Sequence, residues 1–230
     1  MYYVSAPLVT DGLALIYDGI NPLCLTRGSA VVRTLGPNSA SGSISTAFYT
    51  NERGGGLFVS SSTLINLSRA YSFSYPVTIQ TVINQRIDND GNGRQIFGEI
   101  AGFSRFRVGS SAVSQGGGLV LAGRSGSSLE TVLFETGALA PTGSDYVLTV
   151  TGTSNQVWTT YVNGRQALPA RTTNLSSAFV FNFDRLCLPF GGATFPFVGN
   201  IYHISIYNRA LSESEILQNY NTLKTRFNLL

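Results

Sequence analysis

The chain is short of charge. Asp, Glu, Lys and Arg make up 12% of its 230 residues, about half the share usual in a soluble domain. Of the fifteen basic residues only Lys224 is lysine, and the arginines are scattered. No basic run exists, so nucleic-acid binding has no electrostatic footprint. A single histidine, His203, leaves little material for a multi-histidine metal site or a histidine-based triad. It reads as a strand residue beside the core. Two cysteines, Cys24 and Cys187, make no disulfide framework. They read either as buried free thiols or as one bridge between the first and last strands. No apolar run approaches a membrane span. The opening MYYVSAPLVTDGLALIYDG has no positive n-region and no A-x-A site, so no signal peptide is expected there. P-loop and Rossmann fingerprints are absent. So are repeats, linkers and shaft-like segments, which leaves one domain over 1–230.

What is present reads as β structure. Short runs rich in Val, Ile, Thr, Phe and Tyr are separated by Gly, Asn, Ser and Pro. They fall at 13–17, 30–35, 56–60, 76–86, 94–99, 103–108, 118–122, 130–135, 146–151, 157–162, 178–183 and 197–207. Such spacing predicts an all-β sandwich or barrel. Asn163-Gly164 between VWTTYV and RQAL predicts a type I′ hairpin, whose two central residues both need positive φ. In 201–207, alternation puts Tyr202, Ile204 and Ile206 on one face and Ile201, His203, Ser205 and Tyr207 on the other. One helix, 212–227, closes the chain. Ser212 and Glu215 form a capping box, and Leu211 and Ile216 a hydrophobic staple. Ile216, Leu217, Tyr220, Leu223 and Phe227 make its apolar face. Residues 1–10 read as an edge strand or a docking arm, able to add a strand to a neighbour's sheet edge.

Three stretches in order carry a resemblance. GLALIYDGINPLC (12–24) resembles the opening strand of concanavalin A-like lectin/glucanase domains of the laminin-G and pentraxin-like type. DYVLTVTGTSNQVWTTYVNGRQAL (145–168) resembles their central strand pair. GNIYHISIYNRALSESEILQNYNTLKTRF (199–227) resembles their closing strand and helix, in the version found in tailed-phage structural proteins. The resemblance implies a two-sheet antiparallel jelly roll, with the first and last strands as neighbours and the helix packed beside the sandwich.

Chemistry is thin. Glucanases of this fold use paired carboxylates in an E-x-D-x-E strand, and no segment here matches. The chain is expected not to be an enzyme. DNDGNGRQIFGE (88–99) fits the calcium-loop pattern, with Asp88, Asp90, Asn92 and Glu99 as metal ligands. Its flanks read as strands, so a plain polar hairpin loop is the competing reading. No other cofactor is expected. Trp158 reads as a sugar-stacking platform or as core. Arg105 and Arg107 share a strand face that suits solvent or an acidic partner. Two glycine triplets, 54–56 and 116–118, read as turns or bulges.

The resemblance and these absences together predict a phage virion structural protein, assembled in the host cytoplasm and then exposed outside. Capsid decoration is the first expectation. The alternative is a tail-associated carbohydrate-binding adhesin for a host surface glycan. The partners expected are other virion proteins and host surface polysaccharide, with no nucleic acid and no membrane. A homo-oligomer is compatible with the chain, but nothing in it encodes one.

Overall fold

The structure is a computed structural model that describes residues 7–27, 29, 31–37, 39–44, 49–59, 65–86, 94–99, 104–108, 119–125, 128–134, 143–176, 179–186 and 197–229. The described residues form seventeen strands, one α-helix and a short 3-10 turn (Glu52–Gly54); the strands and α-helix follow in chain order. They are β1 (Leu13–Asp18), β2 (Val31–Arg33), β3 (Ser41–Ile44), β4 (Tyr49–Thr50), β5 (Gly56–Val59), β6 (Ile65–Phe73), β7 (Val77–Gln85), β8 (Arg94–Gly98), β9 (Arg105–Val108), β10 (Leu119–Ser125), β11 (Ser128–Phe134), β12 (Asp145–Gly152), β13 (Val157–Val162), β14 (Arg165–Gln166), β15 (Arg171–Thr172), β16 (Phe181–Leu186), β17 (Gly199–Tyr207) and α1 (Glu213–Arg226). One sheet runs β14-β13-β12-β7-β17-β5-β4, with β1 beside β17 and β15 beside β13; the other runs β11-β10-β9-β8-β16-β6-β3-β2. Antiparallel pairing throughout and two packed sheets make this the jelly-roll sandwich expected from the sequence. The opening and closing strands are neighbours, from Leu13 opposite Tyr207 to Asp18 opposite His203.

The two inner faces differ in chemistry. The nine-stranded sheet supplies mainly aliphatic side chains: Ile79, Ile83, Leu148, Val150, Ile201, Ile204 and Ile206. The eight-stranded sheet supplies aromatics. Phe97 stacks on Phe106 with centroids 4.9 Å apart, and Tyr71 on Phe183 at the same separation. Burying large flat rings against branched chains removes much apolar area from water, the main driving force for the fold. Cys24 is a free thiol in this core, and burial raises its pKa. Cys187 lies outside the described residues.

Strict alternation fails in β17. Ile201 stands opposite Ile83 and His203 opposite Val82, so one extra residue is inserted. This β-bulge places Tyr202 and His203 together on the outer face. Ile201, Ile204 and Ile206 point to the core, and Tyr202 packs with Val82 and Phe227. The expected pairing of Tyr202 with Ile204 and Ile206 is therefore corrected. The three-residue step from Ile201 to Ile204 was the signal.

Helix α1 lies on the outer face of the nine-stranded sheet. Ser212 caps it, with its side chain accepting from Glu215 N at 3.4 Å while Glu215 Oε2 accepts from Ser212 N at 2.8 Å. Arg209 grips the same carboxylate at 2.7 and 3.0 Å and holds it down to about pKa 2. Leu211 and Ile216 are buried in one cluster, as the staple requires. The apolar face needs one correction. Leu217 is 47% exposed, and Asn219 is fully buried in its place. Asn219 donates to Tyr207 Oη at 3.0 Å and accepts from Val9 N at 2.8 Å, while Tyr207 donates to Val9 O at 3.1 Å. That closed triangle satisfies a polar side chain where leucine would leave Val9 N unpaired and Tyr207 Oη without its donor. It also corrects the reading of the N-terminus. Residues 7–9 are neither an edge strand nor a free arm, because Pro7 O accepts from Gln218, and Leu8 and Val9 pack under the helix. Residues 1–6 lie outside the described residues.

Candidate functional site

Beyond the C-terminal end of α1 the outer face has no helix over it among the described residues. A cleft of about 610 Å³ opens there, lined by Glu52, Arg53, Asn84, Arg86, Gly143 and Asp145. Its floor comes from the sheet: Asn84 stands next to the end of β7 and Asp145 opens β12 directly opposite it, while Asn200 and Tyr202 on β17 are buried behind Glu52. Its wall is a single 3-10 turn, Glu52–Gly54. The glycine triplet explains how the turn gets so close. Gly55 has φ +142°, and a Cβ there would lie 2.6 Å from Tyr49 Oη. At Gly56 a Cβ would lie 2.9 Å from Ile201 O. A side chain at either position would push the wall away from the sheet.

Two ion pairs cross the cleft. Arg53 places Nε and Nη2 each 2.6 Å from Asp145 Oδ2, and its Nη1 donates to Asn228 O at 2.7 Å. Arg53 holds left-handed backbone, φ +54°, a conformation that costs a non-glycine residue energy and is found where surrounding contacts enforce it. Arg86 donates to Glu52 Oε1 at 2.6 Å, with its guanidinium over the Phe58 ring at 5.3 Å. Glu52 Oε2 accepts from Asn200 at 2.7 Å and Tyr202 at 3.3 Å. Arg86 is the main reason the Glu52 carboxyl sits below its ordinary pKa; Asn200 and Tyr202 add to it. Burial first, and then the Asp145 charge, push the Tyr202 hydroxyl well up.

Asn84 Nδ2 donates to Asp145 Oδ1 at 2.9 Å and to Gly143 O at 3.1 Å. Both partners are acceptors, so the amide orientation is fixed. Its Oδ1 is buried and has no hydrogen-bond partner among the described residues, and the same holds for Asn200 Oδ1. The cleft thus offers guanidinium donors, carboxylate acceptors and unfilled amide acceptors on a rigid sheet end. That set suits hydrogen-bonded recognition.

The residues singled out from sequence lie elsewhere. Trp158 is 0% exposed. Its ring meets Phe179 edge-on and its Nε1 donates to Thr173 at 3.1 Å. The sugar-stacking reading is corrected on that ground: no face of the ring is open to a pyranose, and the core reading holds. Asp88, Asp90 and Asn92 lie outside the described residues. Glu99 is buried just past β8, accepting from Ser104 N at 3.3 Å. Among the described residues no group of three or more His, Cys, Asp or Glu gathers as a metal site. Arg105 and Arg107 belong to β9, whose Phe106 and Val108 are buried. The cleft itself escaped sequence reading, although ERGGG and the polar ending INQR of an apolar run were its local traces.

Structural comparison gives the fold. The chain is similar to a Trypanosoma rangeli sialidase mutant displaying trans-sialidase activity, at TM-score 0.62 and 12% identity over 96% of this chain. It is similar to the binding domain of Paraclostridial Mosquitocidal Protein 1, at TM-score 0.62 and 15% identity over 92%. It is similar to the botulinum neurotoxin type G receptor binding domain, at TM-score 0.58 and 12% identity over 93%. The fold shared with them is a β-sandwich of two antiparallel sheets. At these identities the likeness is one of fold. The chain spans 34% of the sialidase chain and 52% of each toxin chain. No family model matches the sequence, and no curated protein matches it.

Proposed function

We propose that this chain is a non-enzymatic carbohydrate-recognition domain of a phage virion, seated at the tail and binding a glycan of the host surface. The observation that carries the reading is the open cleft, where paired Arg and carboxylate groups flank amide oxygens lacking donors. Sugar hydroxyls both donate and accept, so they match such a surface. The fold supports the reading. Two of the similar proteins are named as binding or receptor-binding domains, and sandwich folds of this kind present ligand sites on a stiff frame. Placement on a virion rests on the C-terminal segment, QNYNTLKTRF, with its resemblance to tailed-phage structural proteins. Tail recognition is preferred to capsid decoration because the comparisons lend support to recognition and none to decoration.

The test is binding of the purified chain to host surface polysaccharide, measured by calorimetry against polysaccharide from a non-host strain. Saturable, host-selective binding without release of new reducing ends is expected. Absence of binding to every polysaccharide tried would overturn the reading, and steady release of reducing ends would overturn its non-enzymatic part.

A further inference from the structure

We infer that the cleft takes a neutral, hydroxyl-rich sugar through a vicinal diol, and that the Glu52–Arg86 pair is the element that opens to admit it. The inference rests on the glycan-recognition reading and names its ligand class.

Charge is the first argument. The lining holds two arginines and two carboxylates, so the cleft is formally neutral. Each arginine already faces a carboxylate at 2.6 Å. An acidic sugar would have to displace Glu52 or Asp145 from its arginine and then sit beside the displaced charge, which is unfavourable at short range. A neutral diol has no such penalty. One hydroxyl accepts from the guanidinium while its neighbour donates to the carboxylate, so the broken ion pair is replaced group for group.

The second argument is independent of charge. Asn84 is only 7% exposed, lines the cleft, and leaves its Oδ1 without a donor. Buried acceptors call for donors. Hydroxyls supply them; a sugar carboxylate supplies only further acceptors.

The third argument identifies the moving part. Arg53 is held by Asp145, by Asn228 O and by its own left-handed backbone. Arg86 and Glu52 have side chains 41% and 52% exposed, and an ion pair so wet is weakly held. Arg53–Asp145 is therefore the fixed wall and Glu52–Arg86 the gate. The Phe58 ring under Arg86 gives the released guanidinium a surface to rest on.

The experiment is a printed array of neutral hexose and pentose oligosaccharides beside uronic-acid, sialylated and aminated ones, followed by calorimetry of the best hit. The chain is expected to bind neutral members, with affinity changing less than about twofold between 50 and 500 mM salt, since no net charge is screened. Glu52→Gln and Arg86→Gln, both at exposed positions and checked for an unchanged fold by circular dichroism, should each weaken that hit by about tenfold, equivalent to one lost charge-assisted contact. Glu52→Gln leaves the cleft with one net positive charge and should gain binding to uronic-acid members. Selection of acidic or aminated sugars by the unaltered chain would overturn the inference and leave glycan recognition standing. A neutral hit insensitive to both substitutions would overturn the cleft as its site. No binding to any member would overturn the recognition reading together with the inference.

Discussion

The outer face of the nine-stranded sheet has two ends, built by the same strands and treated in opposite ways. At one end α1 lies down over Gln80, Val82, Val147, Ser205 and Tyr207. At the other, two residues beyond Val82 on β7 and two before Val147 on β12, Asn84 and Asp145 line a cleft. Both ends carry polar side chains. Under the helix they are shut away from solvent: Gln80 Nε2 donates to Thr149 at 2.8 Å and Asn219 ties Tyr207 to Val9, while Gln80 Oε1 and Ser205 Oγ stay buried without a partner among the described residues. In the cleft the charged side chains of Glu52, Arg53, Arg86 and Asp145 line a cavity, with the buried Asn84 Oδ1 beside them lacking a donor among the described residues. A polar residue on a sheet face is therefore not by itself a sign of function. What separates the two ends is whether a covering element arrives, and Phe227 with Asn228 marks where it stops.

Removing the cover is the strongest way to break the comparison. Phe227 is fully buried against Tyr202 and His203. Phe227→Ala should cost about 3–5 kcal/mol, read by chemical denaturation, and should speed proteolysis within the helix. Loss below about 1 kcal/mol would mean the helix is not what seals this end.

Acid should act next. His203 is fully buried, both ring nitrogens lack a partner among the described residues, and burial holds its pKa at about 4. The groups facing it are Asp18 beside it on β1 and Arg226 on α1, themselves paired at 2.7 Å. The folded pKa lies below the unfolded value of about 6.5, so the unfolded chain binds the extra proton. Stability is then full above about pH 6.5 and falls between there and pH 4, by roughly 3 kcal/mol. Glu215, held at about 2 by Arg209, contributes its loss only below about pH 4.5. His203→Leu should flatten the upper part of the melting-temperature profile and leave the lower part. An unchanged profile would remove His203 as the cause.

Smaller effects sharpen the contrast. Asn219→Ala leaves Val9 N unsatisfied and removes the donor to Tyr207 Oη and should cost about 1–3 kcal/mol, whereas Ser212→Ala at the cap should cost about 1 kcal/mol. Arg86→Gln, in the open end, should cost less than about 1 kcal/mol. If Arg86→Gln proved more destabilising than Asn219→Ala, the cleft would be part of the structural frame and not a site.

Legibility in the sequence followed the range over which each feature is encoded. The capping box, the staple and the Asn163-Gly164 turn, with φ of +51° and +74°, are local and were read correctly. Strand β6 (Ile65–Phe73) was missed because Ser68, Arg69 and Ala70 are all exposed in mid-strand and interrupt the alternation. The bulge in β17 was missed because an inserted residue leaves composition unchanged. Trp158 drew attention as a rare aromatic, yet its size is what makes it core. The cleft is assembled from residues 52–53, 84–86 and 143–145, strand ends far apart in the chain, so no spacing rule could gather them. Sparse charge was the usable hint: in a chain with 12% charged residues, each Arg or Asp closing an apolar strand merits attention.

The most direct measurement is a crystal structure of the chain with its tightest oligosaccharide hit. The account predicts a sugar in the cleft, one hydroxyl pair between Glu52 and Arg86, a hydroxyl donating to Asn84 Oδ1, and Arg53–Asp145 unmoved. Sugar bound at another surface, with the Glu52–Arg86 pair still closed, would contradict it.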